Sequence, residues 1–441
     1  MLIIKGQINE THVEASDLIN HIEETVYIHG SIYKIRIMSN FSFVLLRSKR
    51  DIVQCIYSKG FSKFSLDELK ENMNVIMEGY VIKEERSKVG YEVRIIDFKK
   101  LSQSYEEYPL VINNKEVDVS LNNLLNYRVI TLKNPKERAI FKIQEGLSKG
   151  FREFLNTNNF TEIHSPKIVF SGAEGGANIF KLDYFGKEAY LTQSPQFYKQ
   201  MMVGVFEKVY EIAPVFRAEK HDTNRHVNEY TSVDLEMGFI ESFYDIMELE
   251  TKMLKYAFDL LKNEYSNELK LLNADVPILD EIPCIKFLEA KDLISKTYNR
   301  PITDFYDFEP EEEKLICDIM KKETGSEFVF VTHYLSKKRP FYAKDSEEDK
   351  EITNSFDLLF RGMEVTTGGQ RIHDYEEQVL KMKERSMNVE LFESFLMAHK
   401  YGLPPHGGLG LGLERLTMML LGFSNVRRTT LFPRDTIRLK P

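Results

Sequence analysis

The chain has 441 residues, 42% apolar and 29% charged, with no tryptophan. It is too apolar for a disordered protein and long enough for two or three domains. Its 59 Lys and Arg against 68 Asp and Glu give a net charge of −9, which argues against binding nucleic acid by bulk charge alone. The balance is uneven: residues 1–101 carry 15 basic and 14 acidic side chains, so the remainder carries −10. No apolar run approaches the ~18 residues of a membrane-spanning helix. The first residues lack the layout of a secretory signal, and Cys55, Cys284 and Cys317 show no C-x-x-C spacing. No membrane association, disulfide framework or zinc site is expected, and the setting is read as a reducing, cytoplasmic one.

Residues 26–29, 41–47, 52–57, 75–82 and 91–96 are rich in β-branched and aromatic residues and are separated by turn formers such as Ser39-Asn40, Lys59-Gly60 and Val89-Gly90. Five short strands in this span predict a small barrel of the OB type over residues 1–101, with a generic β-sandwich as the alternative. A helix is expected over 65–72. Residues 102–133 lose periodicity and read as a linker. Pro135 then opens a helix, with Ile140, Ile143, Leu147, Phe151, Phe154 and Leu155 at helical spacing. A second, larger domain is expected over 134–441, with a mostly helical insertion near 243–350. The acidic run at 309–313 in that insertion reads as a solvated face.

Three segments carry chemistry. Residues 209–217 and 230–239 read as two strands. In the second, Val233, Leu235, Met237 and Phe239 fall on one side and Asp234 and Glu236 on the other. Antiparallel pairing gathers Arg217, Glu219, Asp234 and Glu236 on one surface, which is either a solvated face or an anion site in which Arg217 forks onto phosphate or carboxylate. Residues 406–422 place glycines at 408, 410 and 412 just before a helix whose first turn holds Arg415. Either the bare strand face lets a flat ligand lie on backbone, with an anion at the helix end, or the glycines simply permit close packing. Neither a dinucleotide fingerprint nor a P-loop fits this run. In residues 354–371 a two-residue turn at Arg361-Gly362 sets Leu359 opposite Glu364, with Asp357 diagonal to it. Those two carboxylates either hold Mg²⁺ with a nucleotide or are exposed acids.

Taken together, these segments resemble the three signature motifs of the class II aminoacyl-tRNA synthetases. The helix running into residues 160–166 is similar to motif 1, Phe216-Arg217-Ala218-Glu219 with Arg225-His226 to motif 2, and residues 410–415 to motif 3. Within the class, residues 171–177, 193–200, 369–374 and 431–435 are similar to the aspartyl-tRNA synthetase family (subclass b) of archaeal and eukaryotic cytosolic type. The resemblance implies an α+β architecture: an N-terminal anticodon-binding OB-fold barrel and a catalytic domain whose antiparallel sheet of six or seven strands is flanked by helices. It implies ligation of L-aspartate to tRNA-Asp through an aspartyl-adenylate made from ATP, with Mg²⁺, by a homodimer having Pro166 at its interface. Asparaginyl-tRNA synthetases and noncatalytic tRNA-binding paralogues are the alternatives.

The resemblance also implies roles. Lys199 and Arg371 grip the side-chain carboxylate of the substrate, while Glu174, Gln196 and Asp234 hold its ammonium. Arg217 meets the α-phosphate and substrate carboxylate. Arg415 holds adenine or the γ-phosphate end; Glu219, Arg225, His226, Val227, Gly412, Leu413 and Glu414 complete the ATP contacts. Asp357, Glu364 and Thr367 bind the metal, Thr367 also facing aspartate and standing where the family usually has serine. The segment 381–386 faintly resembles a class I signature and is read as chance.

Overall fold

A computed structural model describes residues 12–49, 51–87, 89–170 and 178–441. These form two compact units: the described residues up to Val119 with Val129–Pro135, and Ser120–Arg128 with Lys136–Pro441. In the first unit β1 (Thr25–Ile37), β2 (Ser42–Ser48), β3 (Asp51–Tyr57), β4 (Asn74–Lys83) and β5 (Tyr91–Ser102) close into a barrel in the order β1-β2-β3-β5-β4. Alternate residues such as Val26, Ile28, Val44, Leu46, Val75 and Met77 fill it, as a half-buried period of two requires. The helix expected over 65–72 is a single 3₁₀ turn, Leu66–Glu68. Ser65 and Glu68 close a capping box around that one turn, and burial of Leu69 and Met73 draws the chain back to the barrel.

The stretch read as a linker carries helices α1 (Leu121–Asn126) and α2 (Arg128–Thr131). Ser120 caps α1 by accepting from Asn123 N, and Leu124 and Leu125 are buried, which overrides the weak helix propensity of the asparagines. Helix α3 (Pro135–Thr157) leads to β6 (Thr161–Glu162), a small sheet of β7 (Ile168–Val169), β8 (Lys181–Tyr184) and β9 (Lys187–Leu191), helix α4 (Gln196–Phe206), β10 (Lys208–Phe216) and β11 (Glu229–Gly238). Then come α5 (Tyr244–Glu264), α6 (Ser266–Leu272), β12 (Cys284–Lys286), α7 (Phe287–Tyr298), α8 (Pro310–Thr324), β13 (Phe328–Thr332), β14 (Ser355–Phe360) and β15 (Met363–Gln370). Helices α9 (Tyr375–Glu384) and α10 (Glu393–Lys400), strand β16 (His406–Gly412) and α11 (Leu413–Leu420) complete the unit.

The main sheet has eight strands in the order β12-β13-β14-β15-β16-β11-β10-β6. Its interior pairs are antiparallel, and both edges, β12 on β13 and β6 on β10, are parallel. The segment 243–350 is therefore more than an insertion, since it supplies β12 and β13 as well as four helices. One face of the sheet, with Tyr210, Val233, Leu235, Phe356, Leu409 and Leu411, shares its core with α3 and α5. Those helices approach so closely that a Cβ on Gly150 would lie 2.7 Å from the Ala257 Cα. The opposite face of β11 presents Ser232, Asp234 and Glu236. Arg361 and Gly362, both with positive φ, make the two-residue turn that joins β14 to β15. Among the described residues no helix is long and apolar enough to cross a membrane.

Candidate active site

Above the polar face of β11, β15 and β16 lies a cavity of about 320 Å³. Arg217, Arg371 and Arg415 all line it. So do Gln196, Lys199, Glu219, Arg225, His226, Val227, Asp234, Glu364, Thr367, Gly412 and Glu414.

Its floor is a buried ionic network. Lys199, on α4, places its ammonium 2.9 Å from Asp234 Oδ1 and 3.4 Å from Glu236 Oε2, and donates to Leu409 O at 2.8 Å. Arg371 pairs through Nε with Glu236 Oε1 at 2.9 Å and donates to Gly408 O at 3.0 Å. Burial alone pushes the Glu236 carboxyl up, but Arg371, Lys199 and His406 together hold it below the usual carboxylate range. Gln196 Nε2 and Asp234 Oδ2 are buried and have no hydrogen-bond partner among the described residues. Polar groups of this kind, aimed at a cavity, are what a charged small molecule satisfies.

Glycine makes room for this network. A Cβ on Gly408 would lie 2.2 Å from Glu236 Oε2 and 2.2 Å from Leu235 O, and one on Gly410 would lie 3.2 Å from Asp234 Oδ1. The glycine face is thus filled by the Glu236 carboxylate at 408, while Gly410, beside Asp234, and Gly412 line the cavity.

The other end of the cavity is built by loops. Arg217 leaves β10 with its N–H on Asn228 O at 2.9 Å, and the Asn228 amide donates to the carbonyls of Arg217 and Glu219 at 2.7 and 2.9 Å. Its guanidinium stands 5.8 Å over the Tyr230 ring. Arg415, in the first turn of α11, donates to Arg225 O and Glu364 O, each at 3.3 Å. Arg225 pairs with Glu313 of α8. His226 Nδ1 lies 2.6 Å from Thr223 Oγ1, and burial and Arg415 push its pKa down. Glu414 is buried with Thr231 N donating to it at 3.1 and 3.0 Å, and burial pushes its pKa up to about 7.

A β-bulge fixes the candidate metal ligands. Leu358 pairs with Thr366 but Leu359 with Glu364, so Val365 is the extra residue, and Glu364 and Thr367 come to one side. Thr367 Oγ1 donates to Glu364 Oε1 at 3.2 Å on the cavity wall. Two hard oxygen donors fit Mg²⁺, which keeps few protein ligands. No cluster of three or more His, Cys, Asp or Glu among the described residues is spaced to hold a metal.

Two residues expected at the cavity stand elsewhere. Asp357 pairs with Arg339 at 2.8 Å and does not line the cavity; burial raises its pKa, with Glu364 adding to the effect and Arg339 opposing it. Leu413 belongs to the apolar core. Pro166 lines a separate hollow beside the exposed Ile168 and Phe170. Glu174, with its segment 171–177, falls outside the described residues.

Other members were not singled out as ligands from sequence. Glu236 is the carboxylate shared by both floor cations; its alternation with Asp234 was the available signal. Arg339 and Tyr342 enter from the loop between β13 and β14, Arg371 standing 5.5 Å over the Tyr342 ring. That loop is held by the 381–386 segment: Arg385 donates to Arg339 O at 2.6 Å and Ser336 O at 2.7 Å, and Lys381 pairs with Asp345.

A family model described as "tRNA synthetases class II (D, K and N)" matches residues 120–436. The chain is 43% identical over 431 residues to an aspartate–tRNA(Asp/Asn) ligase of Deinococcus radiodurans, covering 96% of this chain and 98% of that one. It is 38% identical over 422 residues to an aspartate–tRNA(Asp) ligase of Pyrococcus furiosus, covering 94% and 96%. Among solved structures, asparaginyl-tRNA synthetase from Pyrococcus horikoshii complexed with asparaginyl-adenylate superposes with a TM-score of 0.89 at 29% identity, covering all of both chains. The chain belongs to the class II tRNA synthetase family that these relatives share.

Proposed function

We propose that the chain is an aspartate–tRNA ligase: it activates L-aspartate with ATP and transfers it to tRNA-Asp, releasing pyrophosphate and AMP. The observation that carries this reading is the floor, where Lys199 and Arg371 meet around one buried carboxylate, Glu236. Two buried cations on one side of a small cavity favour a carboxylate over an amide, since charge-assisted bonds are roughly twice as strong as neutral ones. Asp234, whose buried Oδ2 has no partner among the described residues, accepts from the substrate ammonium, and the Gln196 amide accepts from it through its oxygen, which leaves the buried Nε2 to donate to a substrate oxygen.

The first step joins two anions. An oxygen of the α-carboxylate attacks the α-phosphorus of ATP, and the bond to the pyrophosphate leaving group breaks. Arg217, at the boundary between floor and loops, offsets the charge that accumulates there, while Arg415, Glu219, Arg225 and His226 orient the nucleotide. Positioning and charge supply the catalysis, without a protein nucleophile. Glu364 and Thr367 would hold Mg²⁺, which when bound neutralises phosphate charge. The terminal ribose hydroxyl of tRNA then attacks the carbonyl of the mixed anhydride, and AMP leaves. The barrel of the first unit is assigned to the anticodon and the Pro166 surface to a second copy, in a cytoplasmic enzyme.

Aspartate-dependent ATP–pyrophosphate exchange tests the reading. Arg217→Ala abolishes it with the fold intact, and Lys199→Ala raises the aspartate KM far more than the ATP KM. The likeness to an asparaginyl enzyme supports a second reading, which exchange supported by asparagine and not by aspartate would favour. Aminoacylation of tRNA-Asp and tRNA-Asn side by side sorts the one-tRNA from the two-tRNA specificity that the relatives' names divide between.

A further inference from the structure

The loop 220–226 carries Arg225 and His226 but contains no strand or helix of its own. Its shape is set by the segment that follows α11. Val426 N donates to Asn224 O at 2.8 Å, and the Asn425 amide donates to Asn224 Oδ1 at 2.9 Å. At the centre stands Arg427, 8% exposed. Its Nη2 reaches Asp222 Oδ1 at 2.6 Å, Nη1 donates to Thr223 O at 3.0 Å, and Nε reaches Asp435 Oδ2 at 2.6 Å. Asp435 is itself fixed, because its Oδ1 accepts from Ile437 N and Arg438 N at 2.9 and 2.7 Å. Two residues beyond the loop, Asn228 N donates to Arg434 O at 2.7 Å, so the same tail grips the chain on both sides of His226.

We infer that Arg427 is a positioning residue for the nucleotide: it clamps the loop 220–226 between Asp222 and the tail residue Asp435. The clamp acts through the loop on Arg225, whose carbonyl receives the Arg415 guanidinium. It does not line the cavity. One guanidinium spans three acceptors because its donors diverge in a plane; an ammonium is a point charge without that reach. The inference rests on the reading of this cavity as the ATP site, and it deepens that reading by assigning the tail's part in it.

The test compares Arg427→Gln with Asp222→Asn. The Asp222 side chain is 53% exposed, so the second variant folds even if the first does not. In pyrophosphate exchange, the ATP KM rises about tenfold in Arg427→Gln and about threefold in Asp222→Asn, with the aspartate KM within about twofold of wild type. Arg427→Lys recovers only part of the loss. Hydrogen exchange is the second readout: amides of 220–227 are deprotected in both variants while those of β11 are unchanged. Unchanged loop protection in Asp222→Asn, or ATP and aspartate KM rising together, overturns the clamp. A wild-type chain without exchange activity counts against the ATP reading instead, and loop protection still decides the clamp.

Discussion

The two ends of the cavity are built by opposite means. At the floor, Lys199, Asp234, Glu236 and Arg371 are buried and stand on α4, β11 or the residue just after β15. At the end proposed for the nucleotide, Glu219, Arg225 and His226 sit on a loop, partly exposed, and their order is borrowed from a tail some 200 residues away. Under the proposed function, the difference follows from what each end would bind. A small dicarboxylate offers few atoms, so selecting it requires charges that are already desolvated and aimed. A nucleoside triphosphate brings a large charge and a long body, and a rim of adjustable cations suffices.

The largest effect should come from breaking the floor. Glu236→Ala removes the buried carboxylate that Arg371 and Lys199 share. Uncompensated buried charge costs on the order of 3–5 kcal/mol. Aspartate-dependent exchange should fall about 10³-fold, mostly through aspartate, with a lower melting temperature. Equal losses of aspartate and ATP affinity would erase the distinction between the two ends.

Much of this was legible in the residues, and the reasons for the rest are physical. β-branched runs and turn formers located the barrel strands, and alternation in 230–239 split Asp234 and Glu236 from Val233 and Leu235 as found. The turn at Arg361-Gly362 does set Leu359 opposite Glu364. The bulge at Val365 was not legible, because one inserted residue changes parity without altering composition; only the family resemblance had named Thr367. Spacing put Asp357 near Glu364, but its partner Arg339 arrives from a loop whose path depends on Lys381 and Arg385. The glycine run showed a bare face without showing that the Glu236 carboxylate would fill it at Gly408. Arg427 left no local signal, since its partners lie on two other segments.

Two substitutions sharpen the contrast. Gly408→Ala drives a methyl into the Leu235 carbonyl and the Glu236 carboxylate, and a backbone carbonyl cannot swing aside. A cost of about 1–3 kcal/mol is expected, with the aspartate KM up about tenfold. Gly412→Ala meets nothing nearer than Arg415 at 3.8 Å and should melt like wild type in a thermal scan. Glu250 is the control for the floor: it is as buried as Glu236, and its pKa is pushed up to about 8 by burial, which the Thr366 hydroxyl only partly offsets. A carboxyl raised in the folded state binds more protons there than when unfolded, so its contribution is full below the ordinary pKa of 4.5 and is lost as pH rises through about 8. Glu250→Gln should therefore raise the melting temperature by a few degrees at pH 8 and little at pH 5. An equal shift at both pH values would show that Glu250 does not titrate as its burial requires.

Salt gives the smallest and most discriminating effect. The Debye length shortens from about 10 Å at 0.1 M to about 3 Å at 1 M, which weakens exposed ion pairs and leaves buried ones almost untouched. Asp222 is exposed enough for its pairing with Arg427 to be screened, whereas no floor charge is more than 7% exposed at the side chain. Salt also screens ATP itself, so the absolute KM says little; the ratio between Asp222→Asn and wild type removes that common part. From low to high salt this ratio for ATP should shrink from about threefold toward one, as wild type loses what the variant already lacks. The same ratio for aspartate should stay flat throughout. A falling aspartate ratio would mean that the loop reaches the floor, and that the two ends work as one electrostatic unit.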